Sequence, residues 1–202
     1  MKLYYSRGAC SLTPHIVLRE TGLPFTLERM EPSTHTTEHG ADFYAVNPKG
    51  YVPVLELDDG QRLTEGPVIC QYVCDVARRT DLMPAAGTME RYRVMEWQGY
   101  INSEIHKAYS PLFNPSLDAT VKAMFAATLR RKYEWLASQL EGKPYLTGDT
   151  FTAADAYLFN VTRWARAVKL DLTDLASLGT FLERTLARPS VAEAFKAEGL
   201  RR

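Results

Sequence analysis

The chain has no long hydrophobic run. Its 202 residues contain no apolar stretch close to the length of a membrane span, so no membrane partner is expected. It also lacks net charge, because 24 Lys and Arg balance 24 Asp and Glu. That balance offers no electrostatic grip on nucleic acid or on an anionic lipid surface. The first residues carry Lys2 and Arg7 and no apolar secretion core. Cysteine is scarce and odd in number, at Cys10, Cys70 and Cys74. A disulfide framework is therefore not expected, which fits a reducing, cytoplasmic setting. Cys70 and Cys74 stand one helical turn apart beside Ile69 and Val73, with no other Cys or His ligand clustered near them. A closed zinc site needs four ligands. Core packing is expected of the pair, and no metal.

What is present starts at Met1–Arg19. Lys2-Leu-Tyr-Tyr5 reads as a short buried strand. Ser6–Ala9 reads as a turn, with Gly8 supplying backbone freedom. Cys10-Ser11-Leu12-Thr13-Pro14 opens a helix in which the proline is tolerated, since the first N–H groups lack internal partners. Gly22 is the stop signal. A thiol at a helix start has its thiolate favoured, and the thiolate is the nucleophile. The other reading of Cys10 is a buried small hydrophobe. Position alone leaves both open.

Phe25–Met30 alternates as a second strand, and Glu31–Gly40 is polar and irregular, an exposed loop. Asp42–Val46 is expected to make a helical turn or two, ending at Asn47-Pro48. Val54–Leu57 and Arg62–Thr64 are two strands joined by the turn signal Asp58-Asp59-Gly60. Pro53 at the strand start is a candidate cis peptide. Glu65-Gly66-Pro67 starts a helix to about Arg79 that buries Val68, Ile69, Tyr72, Val73 and Val76. Residues 1–80 thus read βαβ, a short helix, then ββα. After a linker the pattern is helical: about 89–108, 116–140, 152–169, 177–187 and a last short helix to 196. Thr152 and Asp155 have capping-box spacing. On the 89–108 helix, Tyr92, Met95, Trp97, Ile101 and Ile105 make a wide apolar side. Gly99, Asn102, Ser103 and His106 fall on one stripe, either a functional face or simply the wet one.

Taken together, the thiol at the first strand–helix junction, Val52-Pro53 before a hairpin and Glu65-Gly66, and the all-helical second half resemble the glutathione transferases. The nearer likeness is the bacterial beta class. It rests on Gly8-Ala-Cys10-Ser11-Leu12, Asn47-Pro-Lys-Gly50, Val52-Pro-Val54, Leu63-Thr-Glu-Gly66, Ser110-Pro-Leu-Phe113, Ala153-Ala-Asp-Ala-Tyr-Leu-Phe159 and Ala197-Glu-Gly-Leu200, and it covers essentially the whole chain in order. The resemblance implies an α/β thioredoxin-like N-terminal domain over 1–80 and an all-α C-terminal domain over 89–202. It also implies a cytoplasmic homodimer that takes glutathione as co-substrate with a small electrophile.

It also implies roles for particular residues. Cys10 matches the class cysteine that contacts the glutathione sulfur and can form a mixed disulfide with it. Val52, followed by Pro53, matches the residue whose backbone pairs with the cysteinyl unit. Glu65 and Gly66 match the pair that holds the γ-glutamyl end. His106 matches the class histidine near the sulfur, and Tyr5 and Ser11 lie beside that site with smaller roles. Ser103 and Glu104 match positions reaching the partner subunit's glutathione. His35 stands where the class usually has lysine on the glycine carboxylate, and imidazole is only partly charged near neutrality. Gly99 stands where the class often has asparagine.

The chemistry so implied is attack of the glutathione sulfur anion on an electrophilic carbon held beside it. Thiol–disulfide exchange or peroxide reduction through Cys10 is added. Position 13 is Thr rather than a resolving cysteine, so the route is monothiol. Two rival readings are reductive dehalogenation within aromatic catabolism and non-enzymatic binding of apolar ligands. Tyr109, Phe113, Trp164 and Val168 are either the electrophile pocket or ordinary core.

Overall fold

A computed structural model describes residues 1–201. The chain divides into two compact units: Met1–Met83 joined by the segment from Arg188 onward, and Pro84–Ala187.

The first unit is built on a five-stranded sheet. Strands β1 (Lys2–Tyr5), β2 (Thr26–Glu31), β3 (Thr36–Thr37), β4 (Val54–Glu56) and β5 (Arg62–Thr64) lie in the order β3-β2-β1-β4-β5. Only β1 and β2 run parallel, because α1 (Leu12–Thr21) makes the crossover between them. Leu3 sits opposite Leu27 on one side and Leu55 on the other, so the central strand is the most buried. Helix α1 ends at Gly22, whose φ of 72° is the left-handed stop expected of glycine. This is the expected thioredoxin-like pattern.

Four differences from the sequence reading appear here. The 31–40 segment is not wholly irregular. It turns back on β2 as β3, with Met30 opposite Thr37, and Thr37 is buried. A two-residue strand is too short to leave an alternating pattern. Helix α2 (Gly66–Val76) buries Ile69, Cys70, Val73 and Cys74, while Val68 and Val76 are exposed. Cys70 and Cys74 are core, as expected. Helix α1 begins at Leu12, so Cys10 sits in the turn before it. Finally, α9 (Pro189–Glu198) belongs to the first unit, although everything after residue 89 was expected in the helical domain. Buried and part-buried polar pairs hold it there. Glu198 accepts from the His15 ring through Oε1 at 2.8 Å and from Gly8 N–H through Oε2 at 2.9 Å. Arg188 and Ser190 donate to Glu20 of α1.

The second unit is helical. Helix α3 (Met89–Tyr100) continues into a π-helical segment, Ile101–His106, and a 3₁₀ turn, Lys107–Tyr109. Then come α4 (Ser110–Phe113), α5 (Ala119–Leu140), α6 (Ala153–Thr162), α7 (Trp164–Ala167) and α8 (Ala176–Leu186). The expected 152–169 helix breaks between α6 and α7. Every residue of α6 is buried, so it is the unit's central helix. The capping box at its start is formed: Thr152 N–H and its hydroxyl donate to Asp155, which also accepts from Leu146 N–H. The wide apolar side expected on 89–108 is only partly buried. Ile101 and Ile105 are in the core, but Tyr92 and Met95 are exposed. No helix among the described residues is long and apolar enough to cross a membrane.

Candidate functional site

In the first unit the turn after β1 delivers Cys10, half-buried, to the segment before β4. Its Sγ donates to the Val52 carbonyl at 3.2 Å. The Val52–Pro53 peptide is cis, as its sequence position suggested. Val52 N–H makes no hydrogen bond to any described residue. Burial pushes the Cys10 thiol up to about 11. The backbone N–H groups of Cys10 and Ser11 pull the other way, and the charge on Glu65 raises it further. This corrects the expectation of a thiol already poised to ionise. The helix-start donors are present, but desolvation outweighs them.

Glu65 precedes α2 with φ 68° and ψ 110°, a backbone conformation rarely adopted by a side chain with a Cβ. It is exposed, and its carboxylate accepts from Lys49 Nζ at 2.7 Å, while Lys49 also donates to the Thr64 hydroxyl at 2.8 Å. Gly66 opens the helix, so its N–H is one of those without an intrahelical acceptor. A Cβ there would meet only Pro53, at 3.9 Å. In the sequence Lys49 belongs to Asn47-Pro-Lys-Gly50, and nothing in that pattern pairs it with Glu65.

His35 has a left-handed φ of 52° and stacks on Tyr44, centroids 4.8 Å apart. Its neighbour in space is Gly50, where a Cβ would come within 2.7 Å of the Tyr44 ring. Tyr5 and Ser11 have structural partners. Tyr5 is buried against the His15 ring, and Ser11 closes the turn, accepting from Ser6 N–H at 3.1 Å and donating to Ser6 C=O at 3.2 Å.

The second unit holds the remaining residues. Gly99, Asn102 and Ser103 are exposed, and nothing lies within 4 Å of a Cβ on Gly99. Glu104 is held by Lys132 at 2.8 Å. His106 Nδ1 lies 2.7 Å from the Tyr157 hydroxyl, which donates to Asn102 Oδ1 at 2.9 Å. Burial, with the Lys107 charge added, holds the His106 imidazole down to about 4, so it is neutral. Trp164 packs edge-on to both His106 (4.9 Å) and Tyr109 (5.5 Å), and Phe113 closes the cluster, half of it exposed. Tyr109 is core, its hydroxyl 2.9 Å from that of Tyr133. Trp164, Phe113 and Val168 are at least partly exposed.

Sequence reasoning passed over Tyr157. The signal was available: a tyrosine on a helix apolar all round must find a partner for its hydroxyl, and the polar stripe at Asn102 and His106 was the one unexplained acceptor set. A cavity of about 580 Å³ between Trp97, Tyr100, Trp135 and Lys143 shares no residue with the expected set. Among the described residues no group of three or more His, Cys, Asp or Glu is placed to hold a metal ion.

Comparison with known proteins bears on the family. The family model for the glutathione S-transferase N-terminal domain matches residues 8–76, and that for the C-terminal domain matches 115–196. Glutathione S-transferase GstA of Escherichia coli O157:H7 is 45% identical, over 100% of both chains. A beta-class glutathione S-transferase of Sphingomonas chungbukensis superposes with a TM-score of 0.96 at 42% identity, covering 100% of each chain. A sphingomonad glutathione S-transferase complexed with glutathione gives 0.95 at 41%, again over 100% of each. The chain belongs to the glutathione S-transferase family: it is an enzyme with the architecture of the bacterial beta class, and glutathione is its co-substrate.

Proposed function

We propose that the chain conjugates glutathione to small hydrophobic electrophiles, binding the tripeptide along Cys10, Val52, Glu65 and Gly66. The observation that carries this is the Cys10–Val52 contact, 3.2 Å from thiol to carbonyl. It sets the sulfur beside a backbone segment whose N–H has no partner, and an extended peptide pairs with such a segment as one more strand. Glu65 supplies a carboxylate for the γ-glutamyl ammonium and Gly66 N–H a donor for its carboxylate. Lys49, already on Glu65, adds a cation on that side. His35 faces the glycine carboxylate in this reading. Tyr5 and Ser11 support the turn that presents Cys10.

His106 takes the role of the class histidine toward the glutathione thiol, and the Trp164–Phe113 edge receives the electrophile. Cys10 adds thiol–disulfide exchange, its mixed disulfide resolved by a second glutathione. Ser103 and Glu104 face the glutathione of a partner copy in a cytoplasmic homodimer, and Gly99 stands at a further glutathione-binding position. Residues 1–80 are the glutathione-binding domain and 89–202 the all-helical domain, with α9 serving the first.

Turnover of a chlorinated nitroaromatic with glutathione, alongside calorimetric titration of glutathione, tests the reading. Wild type is expected to bind and turn over, and Glu65→Ala to bind at least ~10-fold more weakly, the loss of a charge-assisted contact. Binding of apolar dyes with no glutathione-dependent turnover would favour a carrier. Release of halide from chlorinated aromatics with oxidation of glutathione would favour dehalogenation.

A further inference from the structure

We propose that Tyr157 is a positioning residue for His106: its hydroxyl, directed by Asn102, holds the imidazole as the Nδ1–H tautomer and leaves the Nε2 lone pair to accept the proton of the glutathione thiol. The argument is a count of protons. A phenol hydroxyl has one to donate. It lies 2.9 Å from Asn102 Oδ1, a carbonyl oxygen that can only accept, so the proton goes there. The contact at 2.7 Å between the same hydroxyl and His106 Nδ1 is then a hydrogen bond only if Nδ1 donates. A neutral imidazole carries one N–H. Nε2 is left bare, and it makes no hydrogen bond to any described residue.

The surroundings keep this arrangement in place. Asn102 and His106 are one turn apart in the same π segment, an irregularity often found at functional sites. Tyr157 comes from the buried helix α6 and is itself 2% exposed, so its hydroxyl has little room to turn away. The Tyr157 and Trp164 rings meet the imidazole edge-on, at interplanar angles of 88° and 66°. Burial keeps the ring neutral, so the tautomer decides what it presents.

The step rests on the proposed role of His106 toward the glutathione thiol. The S–H bond breaks, its electron pair stays on sulfur, and the proton goes to Nε2. The resulting imidazolium still donates from Nδ1 to Tyr157. The thiolate attacks the electrophilic carbon, the leaving group departs with its bonding pair, and the imidazolium returns its proton to solvent.

Nitrogen-15 NMR of protein labelled at its four histidines tests the proposal. His106→Gln assigns the signals, and full-length protein is used throughout. Wild type should show Nδ1 of His106 in the protonated range and Nε2 in the unprotonated range. Tyr157→Phe should erase that preference and lower kcat/KM by ~10-fold, a typical loss for impaired proton transfer, with glutathione Kd within ~2-fold. Asn102→Ala, at an exposed position where folding is not at risk, should also erase it. A purely structural Tyr157 would leave the tautomer alone. An Nε2–H tautomer in wild type, or an unchanged tautomer in both variants, overturns the proposal. A tautomer as stated combined with full activity in His106→Ala overturns the proton-accepting step, and shows that the placement of His106 failed rather than the hydrogen-bond relay.

Discussion

Cys10 sets two physical effects against each other. N–H groups at the turn before α1 favour its thiolate, and burial disfavours it; burial wins, and the thiol is pushed up to about 11. In the ligand-free protein it is therefore protonated at neutral pH. Its alkylation by iodoacetamide should rise ~10-fold per pH unit from about pH 7 to 9, following the thiolate fraction. Peptide mass spectrometry of Cys10 against time measures this, and a rate already level at pH 7 would contradict it. Gly50 makes a second residue-scale test. It combines φ 72° with no room for a Cβ against Tyr44 and His35. Gly50→Ala should cost about 1–3 kcal/mol, the usual range for a strained, crowded site. Urea denaturation gives the number, and the same variant should weaken glutathione binding through displacement of His35.

At the scale of elements, α9 is tied to α1 and the turn before it by two sets of polar contacts, one at buried Glu198 and one at part-buried Glu20. Glu198 accepts from the His15 ring and from Gly8 N–H with 1% of its surface exposed. Glu198→Ala leaves both donors buried and should cost roughly 2–4 kcal/mol. Glu20 is the second tie. Burial raises its carboxyl, but the hydrogen bonds from Arg188 and Ser190 outweigh this and the net shift is downward from 4.5. A carboxyl lowered in the folded state adds stability above its unfolded pKa and loses it as pH falls through the folded one. The stability gap between wild type and Glu20→Gln should thus be full near pH 7 and close below about pH 4. Denaturation at three pH values checks it. A gap independent of pH would be the wrong result.

The same elements show what could be read in advance. The strand–turn–helix at the start, the 58–60 hairpin and the α6 capping box are local patterns, set by residues a few positions apart. The α9 docking, the Lys49–Glu65 pair and the Tyr157 relay join residues 183, 16 and 51 positions apart. No short-range periodicity records such pairings. The outward turn of Val68 and Val76 was missed for a related reason: an apolar residue on a helix is not obliged to be inside.

For the whole molecule, the proposed homodimer needs apolar surface to bury; Val68 and Val76 are exposed on α2 of the first unit, and Met89 and Tyr92 on α3 of the second. Sedimentation of the full chain should report a dimer, and introducing carboxylates with Val68→Glu and Tyr92→Glu should give folded monomers. The account as a whole turns on glutathione lying beside Cys10. Intact mass after incubation with glutathione disulfide measures that most directly. One glutathione per chain, released by dithiothreitol and missing in Cys10→Ala, is the predicted result. An unmodified wild-type chain, or equal labelling of Cys10→Ala, would contradict it.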